Sequence, residues 1–196
     1  MASLVLTGDT SGQVTIAAPA VAGTNTATLP AATGTVMVSG NMPAFGAYSN
    51  TNQTVSNNTG TVLSANTEEF DTAGCYNNTG STVTLNGLSV PAYSFCPNIA
   101  GYYQINARAT CAAQLYTAVN QNFYIYLRKN GSFISTGSLS PSWSTTSSII
   151  LTSSYSDVLY LAKNDTIDII PYNDKGSGNL FASPNFNYIA ISKISV

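Results

Sequence analysis

The stretch "NFYIYLRKNGSFIS", residues 122–135, is the clearest indication of the fold. Large apolar residues alternate with tyrosine and arginine along it, so successive side chains are expected on opposite faces of an extended strand. One face is predicted to carry Phe123, Ile125 and Leu127, and the other Tyr124, Tyr126 and Arg128. Asn130-Gly131 then supplies the residue pair preferred in a two-residue hairpin turn, leading into Phe133. A β-hairpin is therefore predicted here.

The same kind of pattern continues on both sides of this hairpin. Strands are predicted in "TVTLNGLSV" (82–90), with Asn86-Gly87 as a second hairpin turn, in "DVLYLAKNDTIDIIPYN" (157–173) and in "FNYIAISKISV" (186–196). No window shows sustained helical periodicity. Short strands separated by Gly, Asn and Ser turns predict an all-β sandwich or jelly roll.

A change in composition near residue 41 divides the chain into two parts. No aromatic residue occurs before it, whereas aromatic residues are dense from Phe45 onward. Because large aromatics supply much of the burial in a compact core, only the second part can build one. We therefore predict an extended N-terminal arm over 1–41 and a knob domain over 42–196.

The arm has an unusual lack of charge, since no Asp, Glu, Lys or Arg occurs between Asp9 and Glu68. Pro19 and Pro30 exclude a continuous helix, and alternation at Val14 and Ile16 indicates an extended or short-stranded segment with unpaired edges. Charges would have to be desolvated if the arm docked on a partner, which explains their absence. A flexible tether is the alternative. The predicted contact residues are Val5, Val14, Ile16, Val21, Leu29 and Val36.

Composition excludes several classes of function. Charged residues make up only 7% of the chain, and six basic residues with a net charge of −2 argue against nucleic-acid binding. No apolar run approaches the roughly 18 residues of a membrane-spanning helix. The chain has no histidine, which removes Ser-His-Asp catalysis and the commonest zinc sites. Neither an enzyme nor a cofactor is predicted.

Cysteines and acidic residues leave two alternatives open. The three cysteines Cys75, Cys96 and Cys111 are expected to be reduced apolar fillers, with one cross-strand disulfide as the alternative. A calcium site is the alternative to a purely solubilising role for the loop acids. Its ligands would come from Asp157, Asp165, Asp168, Asp174, Asn164 and Asn173. The favoured prediction is that no metal binds.

The order of several short motifs resembles the complement-type globular head, a jelly roll similar to tumour necrosis factor. The motifs are "NTEEFDTAG" (66–74), "FCPNIAGYYQINA" (95–107), "FYIYLRKNG" (123–131), "DVLYLAKNDTIDI" (157–169) and "FNYIAI" (186–191). The resemblance covers residues 43–196 and implies a jelly roll of about ten strands that assembles as a homotrimer. No collagen-like repeat precedes it. Instead, "APAVAGTNTATLPAATGTV" (18–36) resembles a segment that recurs in tailed-bacteriophage fibre and virion-surface proteins.

The trimer interface is expected on an aromatic strand face, where charges are depleted. Alternation in 102–107 and 186–191 gives two candidate faces, and periodicity does not decide which one meets a neighbour. The first consists of Tyr103, Ile105, Tyr188 and Ala190, and the second of Tyr102, Ile189 and Ile191. Ordinary core packing is the alternative for both. We take the first set as the predicted interface.

Together these features predict a non-enzymatic phage virion protein, assembled in the host cytoplasm because the N-terminus lacks a signal-peptide pattern. The favoured role is a homotrimeric capsid decoration (cement) protein whose arm binds the major capsid protein on the capsid exterior. The alternative is a tail or head fibre knob that binds a host-surface receptor or glycan. Trp143, in the polar loop 137–148, is the candidate sugar-stacking residue for that alternative.

Overall fold

The computed structural model describes residues 3–21, 23–24, 26, 31, 42–114, 121–142, 148–174 and 177–195. The chain forms two compact units, Met1–Thr35 and Val36–Val196. The predicted boundary at residue 41 lies in the segment 32–41, outside the described residues.

Across the described ranges the structure contains fifteen strands and no helix. The strands are β1 (Ser3–Thr7), β2 (Gln13–Ala17), β3 (Ala44–Tyr48), β4 (Gln53–Val55), β5 (Thr67–Asp71), β6 (Val83–Leu85), β7 (Leu88–Val90), β8 (Gly101–Gln114), β9 (Gln121–Lys129), β10 (Ser132–Thr136), β11 (Ser140–Ser142), β12 (Ile149–Leu161), β13 (Ile167–Asn173), β14 (Gly178–Leu180) and β15 (Tyr188–Ser195). The predicted all-β class is confirmed.

The first unit contains an antiparallel hairpin made of β1 and β2. Ser3 pairs with Ala17 and Thr7 with Gln13, and the Gly8 amide closes the turn by donating to the Gly12 carbonyl at 3.0 Å. Gly12 has a φ of 78°, in the left-handed region that glycine adopts without steric cost. The alternation predicted at Val14 and Ile16 therefore belongs to one strand of a paired hairpin over residues 3–17.

The second unit, the knob, is built from two antiparallel sheets. Sheet I has the strand order β4-β14-β8-β15-β3-β5, with β12 paired to the other edge of β8. In sheet II, β9 is the shared strand and pairs with β10, β11 and β13. A small hairpin of β6 and β7 accompanies them.

The hairpin predicted from residues 122–135 is confirmed as β9 and β10. Asn130 and Gly131 have φ values of 53° and 76°, as a turn with two left-handed residues requires. The odd-numbered side chains of β9 from Phe123 to Leu127 are buried, while Tyr124, Tyr126 and Arg128 on the opposite face are partly exposed. Asn86-Gly87 makes the second predicted turn, between β6 and β7.

Buried side chains from both sheets form one core. An aromatic stack lies at its centre, in which the Phe45 ring is 4.3 Å from the Tyr76 ring and 5.1 Å from the Phe95 ring. Phe95 in turn meets Tyr103 edge-on at 5.7 Å. Polar contacts also join the sheets: the Ser153 hydroxyl, on β12, accepts a hydrogen bond from the Ile125 amide on β9 at 3.0 Å. The knob is thus a β-sandwich with an aromatic interior.

Candidate assembly surfaces

The outward face of sheet I is the first candidate surface. Along β8, residues 103, 105, 107 and 109 point into the core, and the even-numbered residues between them point outward. The register of β15 places Tyr188 opposite Arg108 and Ala190 opposite Asn106, so these side chains share the outward face. We term this set the assembly face: Tyr48, Tyr102, Gln104, Asn106, Arg108, Ser156, Val158, Tyr160, Tyr188 and Ala190.

The prediction of the trimer interface is wrong for two of its four residues. Tyr103 and Ile105 are fully buried inside the knob and cannot contact another subunit. The Tyr103 hydroxyl donates to the Ile99 carbonyl at 2.6 Å, so even its polar end is engaged internally. Tyr188 and Ala190 are half-buried on the outward face, and their contact with another subunit stays a prediction. The alternation correctly separated the side chains of each strand into two sets. Which set of one strand shares a sheet face with which set of its neighbour depends on the register between the strands.

Aromatic and apolar side chains occupy one end of the assembly face. Tyr102 and Tyr160 lie directly opposite each other on β8 and β12, with ring centroids 5.4 Å apart in an edge-on arrangement. They remain 46% and 52% exposed, and Val158 beside them is also exposed. Exposed rings that already pack on one another present a rigid apolar surface at a small entropy cost.

The middle of the assembly face is polar but uncharged. The Gln104 side-chain amide donates to the Ser156 hydroxyl and to the Asp157 main-chain carbonyl, both at 3.2 Å, and to the side-chain oxygen of Asn106 at 3.3 Å. Ser156 donates to the same Asn106 oxygen at 2.9 Å. This network fixes the side-chain orientations without introducing charge, which keeps the desolvation cost of covering the face low.

Arg108 is the charged member of the assembly face. Its guanidinium carbon lies 5.1 Å from the centroid of the Tyr188 ring, a cation–π contact, and one terminal nitrogen donates to the Asn185 carbonyl. The Nε atom is buried and has no hydrogen-bond partner among the described residues. Sequence patterning missed Arg108, Gln104 and Asn106, although their alternation with Tyr103 and Ile105 was visible.

The β1–β2 hairpin carries the second candidate surface. Leu4 pairs with Ile16 and Leu6 with Val14, so these four side chains lie on one face, termed the hairpin face. Leu4 and Ile16 are both 57% exposed, and the other two are exposed as well. Leu4 and Leu6 were not predicted, although their alternation matched that of Val14 and Ile16.

The remaining predicted arm residues fall elsewhere. Val5 pairs with Thr15 and so lies on the opposite face of the hairpin, away from Val14 and Ile16. Val21 follows the hairpin and is almost fully exposed. Leu29 and Val36 lie outside the described residues, as does Trp143, the sugar-stacking candidate.

The described part of the chain contains no group of three or more His, Cys, Asp or Glu side chains arranged to hold a metal ion. The candidate calcium ligands make other bonds: Asp168 with Arg128, Asp165 with Lys129 and Asn130, Asp174 with Asn122, and Asp157 with Val158 and Tyr155. For Asp165, partial burial tends to raise the pKa, but hydrogen bonds from Lys129, Asn130 and the Ala162 amide outweigh it and lower the pKa below its ordinary value.

The three cysteines are buried and not disulfide-bonded. Desolvation raises the pKa of Cys75 and of Cys111 to about 11, and it also raises the pKa of Cys96. Their thiols are therefore protonated at neutral pH, unlike activated nucleophilic cysteines. Within the ranges that the structure describes, no helix is long and apolar enough to cross a membrane.

This architecture is a tumour-necrosis-factor-like jelly roll. The structure is similar to that of Eiger TNF from S. frugiperda, with a TM-score of 0.53 and 12% sequence identity over 79% of this chain and 93% of that chain. At this identity the likeness defines the fold and not the function. It confirms the predicted jelly roll for the knob.

Two further solved structures align over a similar part of the chain. Murine APRIL at pH 8.5 aligns with a TM-score of 0.47 and 10% identity, over 78% of this chain and 99% of that one. The globular domain of zebrafish complement 1qA protein gives a TM-score of 0.43 and 14% identity, over 79% of this chain and 97% of that one. No protein-family model matches the sequence, and no curated protein matches it.

Proposed function

We propose that this chain is a non-enzymatic structural protein of a phage virion: a homotrimeric capsid decoration protein. Its N-terminal arm, residues 1–41, binds the major capsid protein. The jelly-roll knob, residues 42–196, is displayed on the capsid exterior.

The hairpin face is the observation that carries this proposal. A two-stranded hairpin is marginally stable in water on its own, and this one exposes Leu4, Leu6, Val14 and Ile16 on a single face. Neither strand contains an ionisable residue. A neutral partner surface that covers the four side chains would gain about 25 cal/mol per Å² of apolar area without desolvating a charge. Free strand edges also allow the partner to add main-chain hydrogen bonds.

The assembly face supports the homotrimer. It combines partly exposed aromatic rings with a neutral polar network, the composition that distinguishes the centre of subunit interfaces from ordinary surface. A stable interface requires about 800 Å² from each partner, and this face extends across four adjacent strands, β3, β15, β8 and β12.

Particle binding tests the proposal directly in the full-length protein. We expect the double variant Leu4→Asp with Ile16→Asp to keep a folded trimeric knob but to be absent from purified virions, because two carboxylates would be desolvated at the docking surface. Thr15→Asp, on the opposite face of the hairpin, is the matched control and should still be incorporated. Incorporation of the double variant at wild-type stoichiometry would contradict the role of the hairpin face.

Copy number separates decoration from the runner-up, a fibre knob that binds a host-surface receptor or glycan. Closed symmetric assembly predicts on the order of hundreds of copies for a capsid decoration protein and at most a few tens for a tail fibre. Electron cryomicroscopy of intact particles, with quantitative mass spectrometry, gives this number. A count of a few tens, located on the tail, would favour the fibre.

A further inference from the structure

An aromatic cluster occupies the outward face of sheet II, on the side of the sandwich opposite the assembly face. It consists of Tyr124 and Tyr126 on β9, Tyr172 on β13 and Phe133 on β10, here termed the tyrosine row. Ring centroids are 5.0 Å apart for Tyr124–Tyr172, 6.4 Å for Tyr124–Tyr126 and 5.9 Å for Tyr126–Phe133. The three tyrosines are partly exposed, and Phe133 is 61% exposed. The row is therefore a continuous platform of rings open to solvent.

The tyrosine hydroxyls add hydrogen-bonding capacity to this platform. The Tyr172 hydroxyl donates to the Asn58 side-chain oxygen at 3.2 Å. Desolvation, followed by the neighbouring phenols, raises the pKa of Tyr124; desolvation is also the main cause of the raised pKa of Tyr126. The hydroxyls of Tyr124 and Tyr126 are consequently protonated and neutral at physiological pH, when each can both donate and accept a hydrogen bond.

The segment before β5 forms one wall of the platform. It runs beside β13, where the Asn58 amide donates to the Asn173 carbonyl at 2.9 Å and the Leu63 amide to the Ile169 carbonyl at 2.8 Å. Gly60 lies so close to the sheet that a Cβ atom there would collide with the Tyr126 hydroxyl and with Ile170. The row is thus bounded on the β13 side and open toward Phe133.

The charges beside the row do not favour an acidic ligand. Arg128 binds Asp168 through two parallel hydrogen bonds of 2.7 and 2.9 Å, the bidentate geometry that satisfies both groups. Asp174, at the other end, accepts a hydrogen bond from the Asn122 side chain at 3.1 Å. An acidic ligand would have to displace Asp168 from Arg128 and would be repelled by Asp174. A neutral ligand would not, so the electrostatics of the site complement an uncharged partner.

We propose that the tyrosine row binds a neutral oligosaccharide, with sugar rings stacked on Tyr124 and Tyr172. A saccharide has apolar C–H faces that pack on aromatic rings and hydroxyl groups at its edges, which match the phenol hydroxyls and the Asn58 amide. This activity goes beyond capsid decoration and does not depend on it.

An array of immobilised oligosaccharides tests the proposal with the full-length protein. The array contains neutral hexose and N-acetylhexosamine oligomers, with sialylated and sulfated oligomers as acidic arms. We expect retention on at least one neutral oligomer, weakened about tenfold or more by Tyr124→Ala and by Tyr172→Ala. Tyr124→Phe, which keeps the ring and removes the hydroxyl, should weaken it by only about threefold. Phe186→Ala, which removes an exposed ring outside both the tyrosine row and the assembly face, is the matched control and should bind normally.

Three results would overturn this inference: no retention of any neutral oligomer, retention only of acidic oligomers, or retention unchanged by both alanine variants. Association of the row with a protein in place of any saccharide would also overturn it and would identify a protein partner. Near-ultraviolet circular dichroism confirms that each variant is folded. Because Tyr124→Ala leaves the hairpin face intact, it should still decorate particles, so failure here is distinguishable from failure of the decoration proposal.

Discussion

The β1–β2 hairpin and the β8–β15 pair of the knob use the same alternating pattern with opposite results. In the hairpin, Ile16 is 57% exposed, whereas Ile105 on β8 is completely buried. The difference is that sheet II covers one face of sheet I, and the two sheets share a core. A strand pattern that is apolar on one face gains stability only when a second layer covers that face. The hairpin face is therefore the surface best suited to a partner layer.

Charge also distinguishes the β1–β2 hairpin from the knob. The hairpin strands contain no ionisable group, while the knob has two ion pairs close to the β9–β10 turn, Arg128 with Asp168 and Lys129 with Asp165. Stability of the knob should therefore depend on pH through its carboxylates, and the pairing of the hairpin strands should not.

Tyr103→Asp should destabilise the knob more than the other substitutions, because it places a carboxylate on the buried face of sheet I. A carboxylate would replace a fully buried ring that packs on Phe95 and donates to Ile99. The cost should exceed about 4 kcal/mol, a large fraction of the roughly 5–15 kcal/mol by which domains are ordinarily stable, so the urea midpoint should fall sharply. Circular dichroism with urea titration measures it. A cooperative transition at the wild-type midpoint would mean that Tyr103 is not in the core.

Tyr102→Asp, one residue earlier, should affect assembly and leave the fold intact. Its side chain is half-exposed on the assembly face, so in a monomer the new carboxylate remains hydrated. In a trimer the carboxylate would be desolvated at the interface, so we expect a folded monomer. Light scattering after size-exclusion chromatography gives the mass, and a trimer of unchanged mass would remove Tyr102 from the interface. Comparing Tyr103→Asp with Tyr102→Asp therefore distinguishes the buried face of β8 from its outward face.

Asp165→Asn should have the smallest effect on stability, and it tests whether an ion pair of the knob makes that stability depend on pH. The pKa of Asp165 is lowered in the folded protein, so its ionised form stabilises the fold above the pKa of the unfolded chain, and this contribution is lost as the pH falls through the lowered value. At pH 7 the variant should be less stable by about 1 kcal/mol. Thermal melting from pH 2 to pH 7 should show the two proteins converging in acid. A constant difference across this range would exclude the ionised carboxylate as its source.

Local features were predictable because they depend on neighbours in sequence. The alternation of residues 123–128 and the turns at Asn130-Gly131 and Asn86-Gly87 require only the period of a strand and the φ angles that Asn and Gly tolerate. The short strands of the first unit were visible at Val14 and Ile16 in the same way. Their pairing partner was not, because Leu4 and Leu6 are separated from them by a turn whose geometry aligns them.

The candidate surfaces were less predictable because they depend on which strands lie side by side. Tyr103 and Tyr188 were assigned to one face, but the register pairs Tyr188 with Arg108, which puts Tyr103 on the opposite face. A shift of the register by one residue moves every side chain of a strand from the buried face to the exposed face. The sequence pattern within a single strand does not show which register it adopts. The tyrosine row has the same origin, since Tyr124 and Tyr172 meet only through the pairing of β9 with β13.

From the amino-acid sequence alone one can predict that this chain folds as strands and that few charges lie on its surface. The sequence also shows that the first forty residues contain no aromatic residue with which to build a core. These properties follow from the side chains and their spacing alone. The tertiary structure decided which face of each strand is covered, and with it the assembly face, the hairpin face and the tyrosine row. Strand register and the stacking of two sheets join residues far apart in the chain, and contacts of that range are decided by the energy of the whole packed core.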